Sequence, residues 1–122
     1  MKYLLSLLVC FCLSLALSQT TIEFWHSQDA TVDIIQQFAD EFNASQSDYK
    51  IIPRYTGSYQ ESAIKLVAAL GSSSAPVMFD AEITVFAKLA EEGSLADLSS
   101  ITKTLPEDLI NDIYPIMWNY GD

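Results

Sequence analysis

Three short stretches carry the residue types that could do chemistry. They are Trp25-His26-Ser27-Gln28, Tyr55-Thr56-Gly57-Ser58-Tyr59 and Asp80-Ala81-Glu82. Together they supply aromatic faces, hydroxyls, an amide and carboxylates, the mixture that grips a polyhydroxylated small molecule. Rings stack on C–H faces, while amides and carboxylates exchange hydrogen bonds with hydroxyls. The candidate ligand-binding residues are His26, Ser27, Tyr59 and Glu82. Each has a plainer reading. Trp25 suits a buried strand end as well as a stacking platform, and the single histidine, His26, reads as a hydrogen-bonded surface side chain rather than a metal ligand. Tyr59 opens a helix, where its ring either covers the turn beneath it or projects into a cleft. Asp80 could cap the third helix, and Glu82 in a first turn is favoured by the helix dipole with or without a ligand.

Catalytic signatures are absent from this sequence. It contains no Gly-x-Ser-x-Gly elbow, no Gly-rich phosphate loop and no His-Glu-x-x-His. Asp80 and Glu82 stand two residues apart on one turn, so they could not flank a glycosidic bond from opposite sides. The expectation is a binding protein, not an enzyme, with no cofactor and no metal; an exported carbohydrate-active enzyme fragment is the less favoured alternative.

Elements that alternate along the chain must position those stretches. Thr21-Ile22-Glu23-Phe24-Trp25 reads as a buried strand that turns polar at His26. Asp29 can cap a following helix whose Ile34, Ile35, Phe38 and Phe42 recur at three- and four-residue spacing and define one buried face. Tyr49 to Tyr55 reads as a second strand, with Pro53 placing it near an end or on an edge. Ser58-Tyr59-Gln60-Glu61 is a capping box for a second helix, with Ala63, Ile64, Val67, Ala68 and Leu70 as its buried side and Gly71 as its stop. Val77-Met78-Phe79 is a short apolar run of the type found in a strand covered on both faces.

A third helix is expected over about Ile83 to Glu92, packing Phe86, Leu89 and Ala90 and ending at Gly93 in a left-handed cap. Ser94 to Ser100 reads as a connector. Thr104-Leu105-Pro106-Glu107 offers a second capping box, for a helix with Leu109, Ile110 and Ile113 that Pro115 ends or kinks, and Tyr120-Gly121-Asp122 is a turn signal. The fold class is therefore α/β, a mostly parallel sheet with right-handed crossovers and helices on both faces. In such sheets ligands sit outside the carboxyl ends of the strands, where all three stretches fall.

Residues 1–18 stand apart. Lys2 precedes an apolar run from Leu4 to Leu17, and Ala16-Leu17-Ser18 supplies small residues for cleavage, the pattern of a secretory signal peptide. Fourteen residues of helix rise only about 21 Å, short of the roughly 30 Å hydrocarbon core. Both cysteines, Cys10 and Cys12, lie within this segment, leaving a cysteine-free domain over 19–122 that must cohere through its core alone. Without Lys2, five basic residues face sixteen acidic ones, a net charge of −11. That balance argues against nucleic acid or an anionic membrane surface as partner, since both need a basic footprint.

The signal segment, Thr21-Ile22-Glu23-Phe24-Trp25-His26-Ser27, Phe42-Asn43 with Asp48-Tyr49-Lys50-Ile51, Tyr55-Thr56-Gly57-Ser58-Tyr59 and Ala75-Pro76 before a short strand keep a common order and spacing. In this the chain resembles the family 1 extracellular solute-binding proteins of bacterial ABC importers. The resemblance implies a two-lobe periplasmic-binding-protein fold of type II, of which residues 19–122 would be an incomplete N-terminal lobe. It implies a ligand such as glycerol-3-phosphate or a related sugar or glycerophosphate, with a maltooligosaccharide-like carbohydrate as the alternative. Delivery to ABC permease membrane subunits, a periplasmic or extracellular location and a monomeric full-length protein follow from the same likeness. So do a ligand-contacting tyrosine at Tyr59 and a glutamate shortly after the third strand, which an ungapped comparison puts at Ile83, one residue past Glu82.

Overall fold

The computed structural model describes residues 19–118, so the 1–18 segment and the Tyr120-Gly121-Asp122 turn lie outside the described residues. Its elements are strands β1 (Thr20–His26), β2 (Tyr49–Tyr55) and β3 (Met78–Phe79) and helices α1 (Val32–Ser45), α2 (Tyr59–Ala69) and α3 (Ile83–Glu91). Three short helices follow: α4 (Ser99–Thr102), α5 (Glu107–Asn111) and α6 (Pro115–Trp118). The strands form one parallel sheet in the order β2-β1-β3. The α/β class and parallel pairing expected from the alternation are what the chain adopts.

Register explains which side chains share a face. Trp25 pairs with Arg54 and Phe79, while Phe24 pairs with Pro53 and Met78. Pro53 lies on an edge strand, as its missing N–H requires. The same edge is partly closed by α1, because the Asn43 amide donates to the Ile51 carbonyl at 2.9 Å and accepts from the Ile51 N–H at 2.7 Å. One side chain thus imitates a neighbouring strand for one residue.

The chain runs from β1 outward to β2 and then back across to β3 on the other side of β1. Right-handed connections of that order put α1 and α2 on opposite faces of the sheet. They also make the carboxyl ends of β1 and β3 a topological switch point, where adjacent loops diverge and leave a crevice.

Burial differs from the periodicity reading. Helix α1 has the expected spacing, yet it fully buries only Ala39, while Ile34, Phe38 and Phe42 are exposed. Periodicity locates an apolar stripe but does not say what covers it. Asp29 does not cap α1: the N-cap is Thr31, without a side-chain bond, and the Asp29 carboxylate takes the N–H of Ala30 instead. In α2 the buried stripe is Ser62, Leu66 and Ala69, rotated from the expected Ala63, Ile64, Val67, Ala68 and Leu70. Ile64 is 70% exposed. A buried polar contact decides the rotation, since Ser62 Oγ lies 2.6 Å from Thr56 Oγ1 at the end of β2 and turns that side of the helix inward.

Strand β3 is two residues long and uncovered: Val77 and Met78 are exposed. In α3 only Leu89 is buried, while Phe86 and Ala90 are exposed. Gly93 closes α3 with φ of 68°, as expected, but Gly71 has no positive φ and α2 ends on the right-handed Leu70. The last two residues of the expected connector, Ser99 and Ser100, begin α4. The second capping box does not form: the N-cap of α5 is Pro106, and the Thr104 hydroxyl donates to the Ile101 carbonyl. Pro115 begins α6 rather than ending α5, a first-turn position where its missing N–H costs nothing.

The first capping box does form, and Gly57 makes room for it. Gly57 has φ of +105°, and a Cβ there would lie 2.6 Å from the Glu61 carboxylate that closes the box. Gly57→Ala is expected to cost about 1–3 kcal/mol, read as a lower midpoint in thermal unfolding.

Candidate functional site

The rim at the carboxyl ends of β1 and β3 is built from both strands and from the first turn of α2. Gln28, two residues past β1, uses its side-chain amide twice: Nε2 donates to Tyr59 Oη at 2.8 Å and to Asp80 Oδ2 at 2.8 Å. Ser27 Oγ donates to the same carboxylate oxygen at 3.2 Å. Asp80 directly follows β3, and its N–H donates to the Trp25 carbonyl at 2.8 Å, extending the ladder into the rim. Tyr59 and Glu82 line one shallow crevice together with Asp80, Ala81 and Val85. The three separate stretches therefore meet at the switch point.

Beneath the rim, Thr56 ties β1 to α2. Its N–H and hydroxyl both donate to the His26 carbonyl, at 2.9 and 3.1 Å, and its own carbonyl accepts Lys65 Nζ at 2.6 Å. Ser58 accepts from the Glu61 N–H at 3.4 Å, while the Glu61 carboxylate accepts from Ser58 N–H at 2.8 Å and Ser58 Oγ at 2.9 Å. Those bonds, the backbone one first, hold the Glu61 carboxyl below the ordinary glutamate range. Ser99 does the same to Asp97, its hydroxyl first and its N–H second.

The sign of the pH dependence follows. A carboxyl whose pKa is depressed in the fold contributes stability above its unfolded value, and that contribution is lost as pH falls through the folded one. Thermal midpoints are expected to fall as pH drops below the ordinary carboxylate range. Glu61→Gln should flatten that acid limb while lowering the neutral-pH midpoint. An unchanged acid limb in the variant would mean that other carboxylates govern it.

The expected site residues separate on burial. Tyr59 is half exposed at the crevice and Glu82 is exposed at the N-cap of α3, making no side-chain cap bond. Ser27 is buried, its hydroxyl committed to Asp80. His26 is not the surface side chain the sequence suggested. It is 1% exposed, its ring tilted against Phe24 and Tyr55 at centroid distances of 5.7 and 5.9 Å, and its Nδ1 has no partner among the described residues. A ring held there forms part of the floor beneath the rim. Trp25 is half-buried, its indole N–H donating to Glu23, whose carboxylate also pairs with Arg54 at 2.9 Å.

Two residues gain weight. Asp80 is a rim carboxylate and not a helix cap, because Glu82 occupies the N-cap of α3. Gln28 is the joint between Asp80 and Tyr59. Their signal in the sequence is position alone, polar residues immediately after a strand end. Among the described residues no group of three or more His, Cys, Asp or Glu is arranged to hold a metal ion, and no helix is long and apolar enough to cross a membrane.

A second depression of about 480 Å³ opens between α2 and α3, lined by Ala63, Val67, Val85, Lys88, Leu89 and Glu92 among others. It lies on the stripe of α2 that the fold leaves outward, and it holds none of the strand-end groups.

No family model matches the sequence. The chain is 41% identical over 76 residues to the sn-glycerol-3-phosphate-binding periplasmic protein UgpB of Yersinia enterocolitica, covering 57% of this chain and 17% of that protein. The same-named protein of Brucella abortus is 35% identical over 92 residues, covering 72% of this chain and 21% of its own length. This chain thus matches about a fifth of the length of these curated relatives. Among solved structures, the cyclic α-maltosyl-1,6-maltose binding protein of Arthrobacter globiformis superposes with a TM-score of 0.70 at 26% identity, over 85% of this chain and 26% of that one. Over the residues matched, the chain is thus similar in sequence to periplasmic solute-binding proteins and in fold to a sugar-binding one.

Proposed function

We propose that this chain forms part of the substrate-binding component of an ABC importer, one wall of a cleft that takes a polyhydroxylated small molecule and presents it to membrane permease subunits. The observation that carries this reading is the convergence of Gln28, Tyr59 and Asp80 on one rim at a switch point, in a chain related to periplasmic binding proteins. Residues 1–18 act as the export signal and residues 19–122 as part of an N-terminal lobe, working in the periplasm or outside the cell. The role is binding without catalysis.

Two ligand classes are in view. The names of the sequence relatives favour glycerol-3-phosphate or a related glycerophosphate, and the fold neighbour favours a neutral, maltooligosaccharide-like carbohydrate. In either case a single wall makes only part of the contacts that a closed cleft would make. Residues 19–122 alone are expected to bind only weakly, below the reach of micromolar titration. Isothermal titration of residues 19–122 with glycerol-3-phosphate and with maltose tests this, and micromolar affinity for either would contradict the single-wall reading. Ligand-detected NMR extends the test into the millimolar range. A complete absence of binding there to every sugar and glycerophosphate tried would count against the transport role.

A further inference from the structure

Taken together with the solute-binding reading, on which this rests, the bonding state of the rim points to the kind of ligand group it can receive. We infer that Asp80 is a specificity-determining residue: its carboxylate accepts a ligand hydroxyl and disfavours a phosphate at the same place.

Both hydrogens of the Gln28 amide are spent, one on Tyr59 Oη and one on Asp80 Oδ2. Ser27 spends its hydroxyl hydrogen on Asp80 Oδ2 as well. What the three polar side chains still offer outward is Gln28 Oε1 and Asp80 Oδ1 as acceptors and the Tyr59 phenol hydrogen as a donor. Two acceptors and one donor complement a pair of hydroxyls. A phosphate brings only acceptors and up to two negative charges, and it would meet a carboxylate fixed in place by two hydrogen bonds.

Nothing else nearby reverses that preference. None of the crevice-lining residues is basic. Arg54 is paired with Glu23, and the Lys65 ammonium is bonded to the Thr56 carbonyl. Helix N-termini are ordinary seats for phosphate. Here α2 already carries Glu61 in its first turn, and α3 has Glu82 at its N-cap. The start of α2 is closed by the Glu61 carboxylate, and the residue that opens α3 is itself acidic.

The test is a ratio of affinities, which cancels changes common to all ligands. Glycerol, maltose, sn-glycerol-3-phosphate and glucose 6-phosphate are titrated into the protein, with binding followed by calorimetry and ligand-detected NMR. Asp80→Asn is expected to weaken the neutral ligands about tenfold and to move the phosphate-to-neutral ratio toward the phosphates. Tyr59→Phe keeps the ring, removes the free donor, and is expected to move the ratio the other way. Circular dichroism selects the variants that fold, and either one suffices. A ratio that stays put, or moves against the stated direction in a folded variant, overturns the role of Asp80 while leaving the transport reading intact. Failure of the unaltered protein to bind any of the four compounds overturns both.

Discussion

Leu66→Ala is expected to destabilise the protein by about 2–5 kcal/mol, the range for removing a buried leucine side chain. Among the described residues the fully buried apolar side chains are Ala39, Leu66, Ala69 and Leu89, so only two large aliphatic ones are fully buried, one on α2 and one on α3. Leu66 is 3% exposed and sits between Ser62 and Ala69 on the inward stripe of α2. Typical domains have about 5–15 kcal/mol in total, so a loss of this size populates the unfolded chain. The measurement is chemical denaturation followed by far-ultraviolet circular dichroism. Leu89→Ala makes the comparison: its side chain borders the open depression between α2 and α3, where water can enter, so its cost should fall in the lower half of the same range. Equal and small losses at both positions, below about 1 kcal/mol, would show that burial in these two side chains does not hold the helices.

The second large effect is expected at Thr56. Thr56→Val keeps the shape and removes the hydroxyl that bonds to Ser62 and to the His26 carbonyl. Thr56 and Ser62 are 5% and 7% exposed, so water does not readily replace the lost partner. An unsatisfied buried hydroxyl costs roughly 1–3 kcal/mol, whereas removing both partners together is close to neutral. The double variant Thr56→Val with Ser62→Ala should therefore be less destabilised than the two single losses summed. The site responds too, because Thr56 joins the end of β1 to the helix that carries Tyr59. Ligand affinity should fall in Thr56→Val although residue 56 is buried beneath the rim. Additive single and double variants would mean that the two hydroxyls do not act as a pair.

Local rules did well wherever a few consecutive residues contain the whole physics. The β2 limits, Tyr49–Tyr55, the Ser58–Glu61 capping box and the left-handed Gly93 are of this kind. Each depends on chirality, turn sterics or backbone amides that find a partner within four residues. The alternation of strands and helices likewise dictated a parallel sheet, because short turns and crossover helices leave few other connections. Even the rim was legible in outline, since polar residues that follow buried strands must gather at one edge.

Tertiary structure decided which faces are inside and which rim groups are free. The apolar stripe of α2 was the better hydrophobic candidate, yet Ser62 and Leu66 are the buried residues, Ser62 being bonded to Thr56. His26 looked like a surface histidine and became part of the floor, since its neighbours Phe24 and Tyr55 come from one sheet face whose cover no local pattern reveals. Gln28 and Asp80 are 52 residues apart, and only the order β2-β1-β3 lays their strands side by side. Local patterns specify the elements and the edge where polar groups collect. Long-range pairing assigned the partners at that edge, because a hydrogen bond between residues so far apart depends on strand order, which neighbouring residues do not encode.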